Sequence, residues 1–205
     1  MTIKAWFPTF IYHEKLHKKP LGAFNRKLTE DCYRIKTADK RGQVWSKNNY
    51  YGGYTSYASM SELNKLSSLF MELEKLIDRH VIKFSKKLEF DLGSGKLKMT
   101  SCWVNIMPAG TTHSNHIHPL SVISGTYYVK TPRNCGAIKF EDPRLDRFMA
   151  APPRKSPCSE KNLQTVRYKP RAGDLILFES WLRHEVEPGS APQDRISISF
   201  NYDWC

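Results

Sequence analysis

The chain has 205 residues, 32 Lys plus Arg against 20 Asp plus Glu, a formal net charge of +12, and 12% aromatic side chains. It is too apolar and too aromatic for a disordered segment, and it holds no apolar run of the roughly eighteen residues a membrane-spanning helix needs. Its length fits a single domain with a sizeable core.

In chain order, Pro8 interrupts the apolar opening MTIKAWFPTF, so no secretory signal is expected. Residues 13–41 are polar and charged, and partial helix is expected there. The stretch 48–59, NNYYGGYTSYAS, reads as a loop. Ser59 and Glu62 then have capping-box spacing, in which each side chain bonds the other's free backbone N–H. Leu63, Leu66, Phe70, Leu73, Ile77, Val81, Phe84 and Leu88 follow at steps of three and four, predicting one amphipathic helix to about residue 88. Such a stripe needs a flat partner. His80, beside the stripe, reads as structural or surface.

From residue 96 the texture changes to short strands at 97–107, 122–130, 137–140, 163–168, 174–178, 184–188 and 195–203, rich in β-branched and aromatic residues. Many short strands preceded by helices predict a sandwich or jelly roll with helices on one face. The exception is 143–162, an insertion with four prolines, five basic and two acidic residues; loops of this length are commonly functional lids.

Charge and cysteines bear on partners and setting. Residues 1–100 carry 19 basic and 10 acidic side chains, residues 101–205 carry 13 and 10. A basic surface attracts anionic partners. Few aromatics are interleaved with it, so a solvated helical face is the favoured reading and nucleic acid the less favoured partner. Cys32, Cys102, Cys135, Cys158 and Cys205 include no C-x-x-C pair. That argues against a disulfide framework or cysteine zinc site and leads us to expect a reducing, cytoplasmic setting.

The chemistry gathers around HSNHIHP, with His113, His116 and His118. In extended chain His116 and His118 point to one side, and two imidazoles can then meet on a metal. His184 lies 66 residues after His118 and opens another strand. In a double-stranded β-helix, distant strands meet at one open end, which allows a near pair and a remote third ligand. In RISISFN, alternation sets Ile196, Ile198, Phe200 and Tyr202 on one face and Arg195, Ser197, Ser199 and Asn201 on the other. Arg195 with Ser197 suits a carboxylate, because the guanidinium fork gives two parallel hydrogen bonds and the hydroxyl a third.

The order H-x-H, YY, G-x-I-x-F, G-D-L-I-L-F, H-x-V and R-x-S resembles the Fe(II)- and 2-oxoglutarate-dependent oxygenases. HIHPLSVISGTYYV, FEDPR and FESWLRHEVEP…RISISFN resemble one group within them, across about residues 100–203. The opening WFPTFIY adds a weaker similarity. The resemblance implies a mainly β fold with flanking α: a double-stranded β-helix, jelly-roll and cupin-like, over residues 96–205, backed by an N-terminal helical layer over 1–95. It implies iron as Fe(II), with 2-oxoglutarate as co-substrate. The metal ligands fall on His116, His118 and His184, and co-substrate binding on Arg195, Ser197 and Tyr128. His118 stands where most members have a carboxylate. Glu141, Asp142 and Glu179 are acidic groups without the motif spacing, and His113 is read as supporting or surface.

The implied activity is a dioxygenase reaction, hydroxylation with release of succinate and CO2. The partner is a small molecule, amino acid or protein side chain, anionic if the basic loop 143–162 bears on it, and Trp181 is a candidate contact. Two alternatives stand beside this: a three-histidine cupin-type dioxygenase without 2-oxoglutarate, and a non-catalytic polyanion-binding module.

Overall fold

A computed structural model describes residues 1–16 and 21–205. Ten strands and four α-helices are described: β1 Ile11–Lys15, α1 Leu21–Ala38, α2 Lys40–Asn49, β2 Tyr54–Thr55, α3 Leu63–Leu66, α4 Ser68–Lys87, β3 Leu97–Met107, β4 His113–His116, β5 Ile123–Lys130, β6 Ile138–Glu141, β7 Thr165–Tyr168, β8 Asp174–Glu179, β9 His184–Val186 and β10 Arg195–Trp204. They form a six-stranded sheet in the order β1-β8-β5-β10-β3-β2 and a four-stranded sheet in the order β4-β9-β6-β7. All pairings within them are antiparallel. Two facing antiparallel sheets with helices outside one of them are the expected double-stranded β-helix.

Alternation along the strands makes two layers. Val104, Ile106, Tyr127, Val129, Ile196, Ile198, Phe200 and Tyr202 face outward from the large sheet, into a core shared with Phe70, Leu73, Ile77, Val81 and Phe84 of α4. Helix α1 is also fastened by polar contacts: the Tyr127 hydroxyl donates to Asn25 Oδ1 at 2.6 Å, and Asn25 Nδ2 donates to the Val129 carbonyl at 3.1 Å. On the inner face Tyr128, Ile176 and Phe178 meet Ile138 and Phe140 of the small sheet.

The N-terminal half departs from expectation in three places. Helices α1 and α2 supply the partial helix expected over 13–41, but residues 11–15 form a strand the sequence did not announce: β1 lies at one edge of the large sheet against β8, and β2 at the other against β3. Residues 17–20 of the segment expected to be partly helical lie outside the described residues. The single helix to residue 88 is two, separated at Ser67, whose extended backbone (φ −133°, ψ 129°) interrupts the turn and leaves Leu66 exposed. The capping box is also absent. Ser59 Oγ instead donates to Asp39 and to the Ser56 carbonyl, and Glu62 pairs with Lys65. The physical reason lies in β3. Cys102 N–H donates to the Ser61 carbonyl at 2.6 Å, and Glu62 bridges to Cys102 in parallel, so residues 61–62 are held as extended chain.

The insertion 143–162 carries two short 3-10 turns, Leu145–Arg147 and Glu160–Asn162, and is largely exposed. No helix among the described residues is long and apolar enough to cross a membrane.

Candidate functional site

The floor of the pocket between the sheets follows from strand register. Arg195 pairs with Met107; Ser197 pairs with Asn105 on one side and Tyr128 on the other; Ser199 pairs with Trp103 and Thr126. Directly paired residues share a face, so these three rows look inward, and all but Tyr128 line one pocket, with Tyr50, His113, His116, His118 and His184. The lining contains no aspartate or glutamate.

At the small-sheet side, His116 and His184 are register partners across β4 and β9, and their rings lie 4.3 Å apart. His118 follows the end of β4 and is brought in by its backbone N–H, which donates to the Ser180 carbonyl at 2.9 Å. His118 Nε2 and His184 Nε2 are 3.3 Å apart, and one ligand atom from each of the three histidines lies within 4.8 Å of the others. Two nitrogens about 2.1 Å from one ion, at right or tetrahedral angles, stand about 3.0–3.4 Å apart. The His118–His184 pair has that spacing, and His116 lies close enough to make a third ligand.

Protonation agrees. The His116 Nδ1–H donates to the Ser114 carbonyl at 2.7 Å and the His184 Nδ1–H to the Leu182 carbonyl at 2.9 Å, which makes Nε2 the unprotonated nitrogen of both rings; that of His184 faces His118 Nε2. Burial, reinforced by the neighbouring rings, holds the His184 imidazole down to about 2 and His118 to about 4; burial also lowers His116. Neutral imidazole is the form that binds metal. His113 stacks on His116 at 4.3 Å and meets Tyr50 edge-on at 5.3 Å, so it supports the cluster from behind.

Arg195 lines the same pocket and is 3% exposed. Its Nη1 donates to Ser197 Oγ at 3.2 Å and to the weak acceptor Met107 Sδ at 3.1 Å. Its guanidinium lies 5.0 Å from the centre of the Tyr128 ring. It makes no ion pair among the described residues. Arg195 Nε, Tyr128 OH, Tyr50 OH, Thr126 Oγ1 and Asn105 Oδ1 are buried without hydrogen-bond partners. An arginine buried without a counter-ion is costly, and a ligand carboxylate would supply what is missing. The residues thus fit both an iron ion and a dicarboxylic co-substrate.

The structure brings His116, His118, His184, Arg195 and Ser197 into one pocket, with Tyr128 against Arg195. Glu141, Asp142 and Glu179 stay outside the lining. The Asp142 carboxylate instead takes a two-pronged contact from Arg144, at 2.9 and 2.8 Å. Trp181 is half-exposed in the turn between β8 and β9 and does not line the pocket. The start of the basic insertion is tied to that same turn, since the Glu141 N–H donates to the Arg183 carbonyl at 3.1 Å. Trp103, Asn105, Met107, Thr126 and Tyr50 are additional lining residues. The first three had a readable signal, the alternation opposite Cys102, Val104 and Ile106; Tyr50 had none.

A double-stranded β-helix whose pocket holds three clustered imidazoles and a buried arginine has donors for a metal ion and for an anionic ligand. Residues 101–201 match the model of a family described as "Putative 2OG-Fe(II) oxygenase". That match spans most of the strand-rich part of the chain and leaves residues 1–100 outside it. No curated protein sequence matches. Among solved structures, the chain is similar to a Pseudomonas putida prolyl-4-hydroxylase, with 15% identity, a TM-score of 0.62, and 95% of this chain and 92% of that one covered. It is similar to SnoN, a non-heme alpha-ketoglutarate-dependent epimerase from nogalamycin biosynthesis, with 13% identity, a TM-score of 0.65, and 95% and 77% covered. It is also similar to HygX from Streptomyces hygroscopicus, solved with nickel and 2-oxoglutarate bound, with 12% identity, a TM-score of 0.64, and 95% and 83% covered. At these identities the likeness is one of fold.

Proposed function

We propose that this chain is a 2-oxoglutarate-dependent oxygenase, a hydroxylase that holds Fe(II) on His116, His118 and His184 and converts 2-oxoglutarate to succinate and CO2. The observation that carries this reading is Arg195, buried and without a counter-ion in the same pocket as three neutral imidazoles. Bound Fe(II) and 2-oxoglutarate supply the oxygen chemistry, in which the co-substrate is decarboxylated and the substrate hydroxylated. The chain's own residues bind and orient. The Ser114 and Leu182 carbonyls fix two of the ligand rings. Arg195 and Ser197 hold the distal carboxylate, and the Tyr128 hydroxyl gains an acceptor in it. Phe178 and Trp103, packed near the His118 ring at 6.3 and 5.9 Å, exclude water from that side.

Three neutral ligands leave the iron one charge more positive than two histidines and a carboxylate would. A lining free of acidic groups keeps that charge available to a dianionic co-substrate. Arg195 also speaks against a cupin-type three-histidine dioxygenase, which has no need of an arginine there. The substrate is a small molecule, amino acid or protein side chain, reached past Trp181 and the insertion 143–162.

The test is anaerobic Fe(II) titration with 2-oxoglutarate, followed by oxygen. We expect a weak visible charge-transfer band, then succinate. His184→Ala should lose both. Succinate formation by that variant would place the metal elsewhere, and wild-type protein without a 2-oxoglutarate-dependent band would favour the cupin-type reaction.

A further inference from the structure

We propose that Tyr50 is a further binding residue for the distal carboxylate of the co-substrate, so that the N-terminal half of the chain supplies part of the pocket. This rests on the 2-oxoglutarate reading above and adds a residue to it.

Tyr50 ends α2 in a turn that sends adjacent tyrosines in opposite directions: Tyr50 is 5% exposed and Tyr51 87%. The turn is fixed by the Tyr50 N–H donating to the Ser46 carbonyl at 2.8 Å and the Gly53 N–H donating to the Tyr50 carbonyl at 3.0 Å. Gly53 allows the ring to fold back over it, since a Cβ there would come within 2.5 Å of Tyr50 Cε1. Gly52 has φ +72°, a left-handed conformation that favours glycine. The ring packs with Met107 and Val186 and against the edge of His113. Nothing in this packing needs a hydroxyl, and the hydroxyl is buried without a hydrogen-bond partner. Burial pushes its ionisation up while the Arg195 charge pulls it down, so it lies within the field of that guanidinium.

Three of the unpartnered groups in and beside the pocket are donors, while Asn105 Oδ1 is an acceptor on the row beside Ser197. Arg195 Nε–H, Tyr128 O–H and Tyr50 O–H are donors in search of an acceptor, and Ser197, whose oxygen accepts from Arg195, keeps its own proton to give. Four donors match the roughly four lone-pair sites of one carboxylate. A cation is repelled by such a set, and an apolar group leaves it unsatisfied.

The experiment compares wild type and Tyr50→Phe as full-length, Fe(II)-loaded protein without oxygen, reading the dissociation constants of two ligands by calorimetry. One is 2-oxoglutarate. The other is 2-oxopentanoate, which keeps the 2-oxo acid head and lacks the distal carboxylate. Phenylalanine retains the ring packing, and equal Fe(II) affinity and melting temperature check that it does. A hydrogen bond to a charged group predicts roughly ten-fold or greater weakening for 2-oxoglutarate and less than two-fold for 2-oxopentanoate. Equal 2-oxoglutarate affinity in the two proteins overturns the role of Tyr50 and leaves the functional reading standing. Equal weakening for both ligands also overturns it, because Tyr50 would then act through packing. Wild-type protein that binds 2-oxopentanoate as tightly as 2-oxoglutarate overturns the carboxylate site itself.

Discussion

Four histidine rings, His113, His116, His118 and His184, crowd one pocket, with centroids as close as 4.3 Å. Burial, the largest influence on each, favours the neutral form, and the neighbouring rings add to it for His113, His118 and His184, leaving His113 at about 3, His118 at about 4 and His184 at about 2. The sign of the pH effect follows. An unfolded histidine takes up its proton below about pH 6.5, whereas these folded ones stay neutral until far lower. The unfolded state therefore binds more protons as pH falls, and stability falls with it. We expect the urea midpoint of metal-free protein to be flat above pH 7.5 and to drop steadily from pH 7 to pH 5; a midpoint unchanged across that window would mean the rings are open to water. At this scale the sequence was partly readable. The H-x-H pair with a distant third histidine and the alternation that turned Arg195 and Ser197 inward were visible as spacing. Tyr50 was not, because which of two adjacent tyrosines points inward is decided by a glycine turn and by packing from other elements.

The elements show the same division between local pattern and tertiary control. The apolar stripe of α4 was legible, and Phe70, Leu73, Ile77, Val81 and Phe84 are buried against the large sheet as the periodicity requires. The start of that helix was not legible, since the hydrogen bond from Cys102 to Ser61 joins residues far apart in sequence. Strand β1 was hidden for a similar reason. IYHEK is polar for a strand, and only its pairing along β8 makes it one. Because α4 holds the outer face of the strands whose inner face carries the site, its packing is a stability term separable from chemistry. Ile77 is fully buried, and Ile77→Ala should cost about 2–5 kcal/mol, read as a lower urea midpoint. Below its new midpoint the variant should still bind Fe(II) and 2-oxoglutarate with unchanged affinity.

At the level of the whole molecule, the two sheets meet at the three-histidine cluster. The three imidazoles come from the end of β4, the chain just after it and the start of β9, so an ion bound there ties the β4 segment to β9. Binding that favours the folded state raises stability by about 2.7 kcal/mol at a hundred-fold excess over the dissociation constant. We expect Fe(II) under nitrogen to raise the melting temperature by several degrees, and a chelator to reverse the rise. His116→Ala should abolish the shift. Among the described residues of the basic N-terminal half, Tyr50 alone lines the pocket.

Strand order also sets when the molecule can be completed. The last strand in the chain, β10, lies in the middle of the large sheet between β5 and β3, and the first, β1, pairs with β8 across about 160 residues of sequence. Until β10 arrives, β3 and β5 each present an unpaired edge, and such edges invite wrong partners. Arg195 is the first residue of that strand. Non-local pairing of this kind makes for slow folding, and the Arg195 side of the pocket comes into being with the step that closes the sheet.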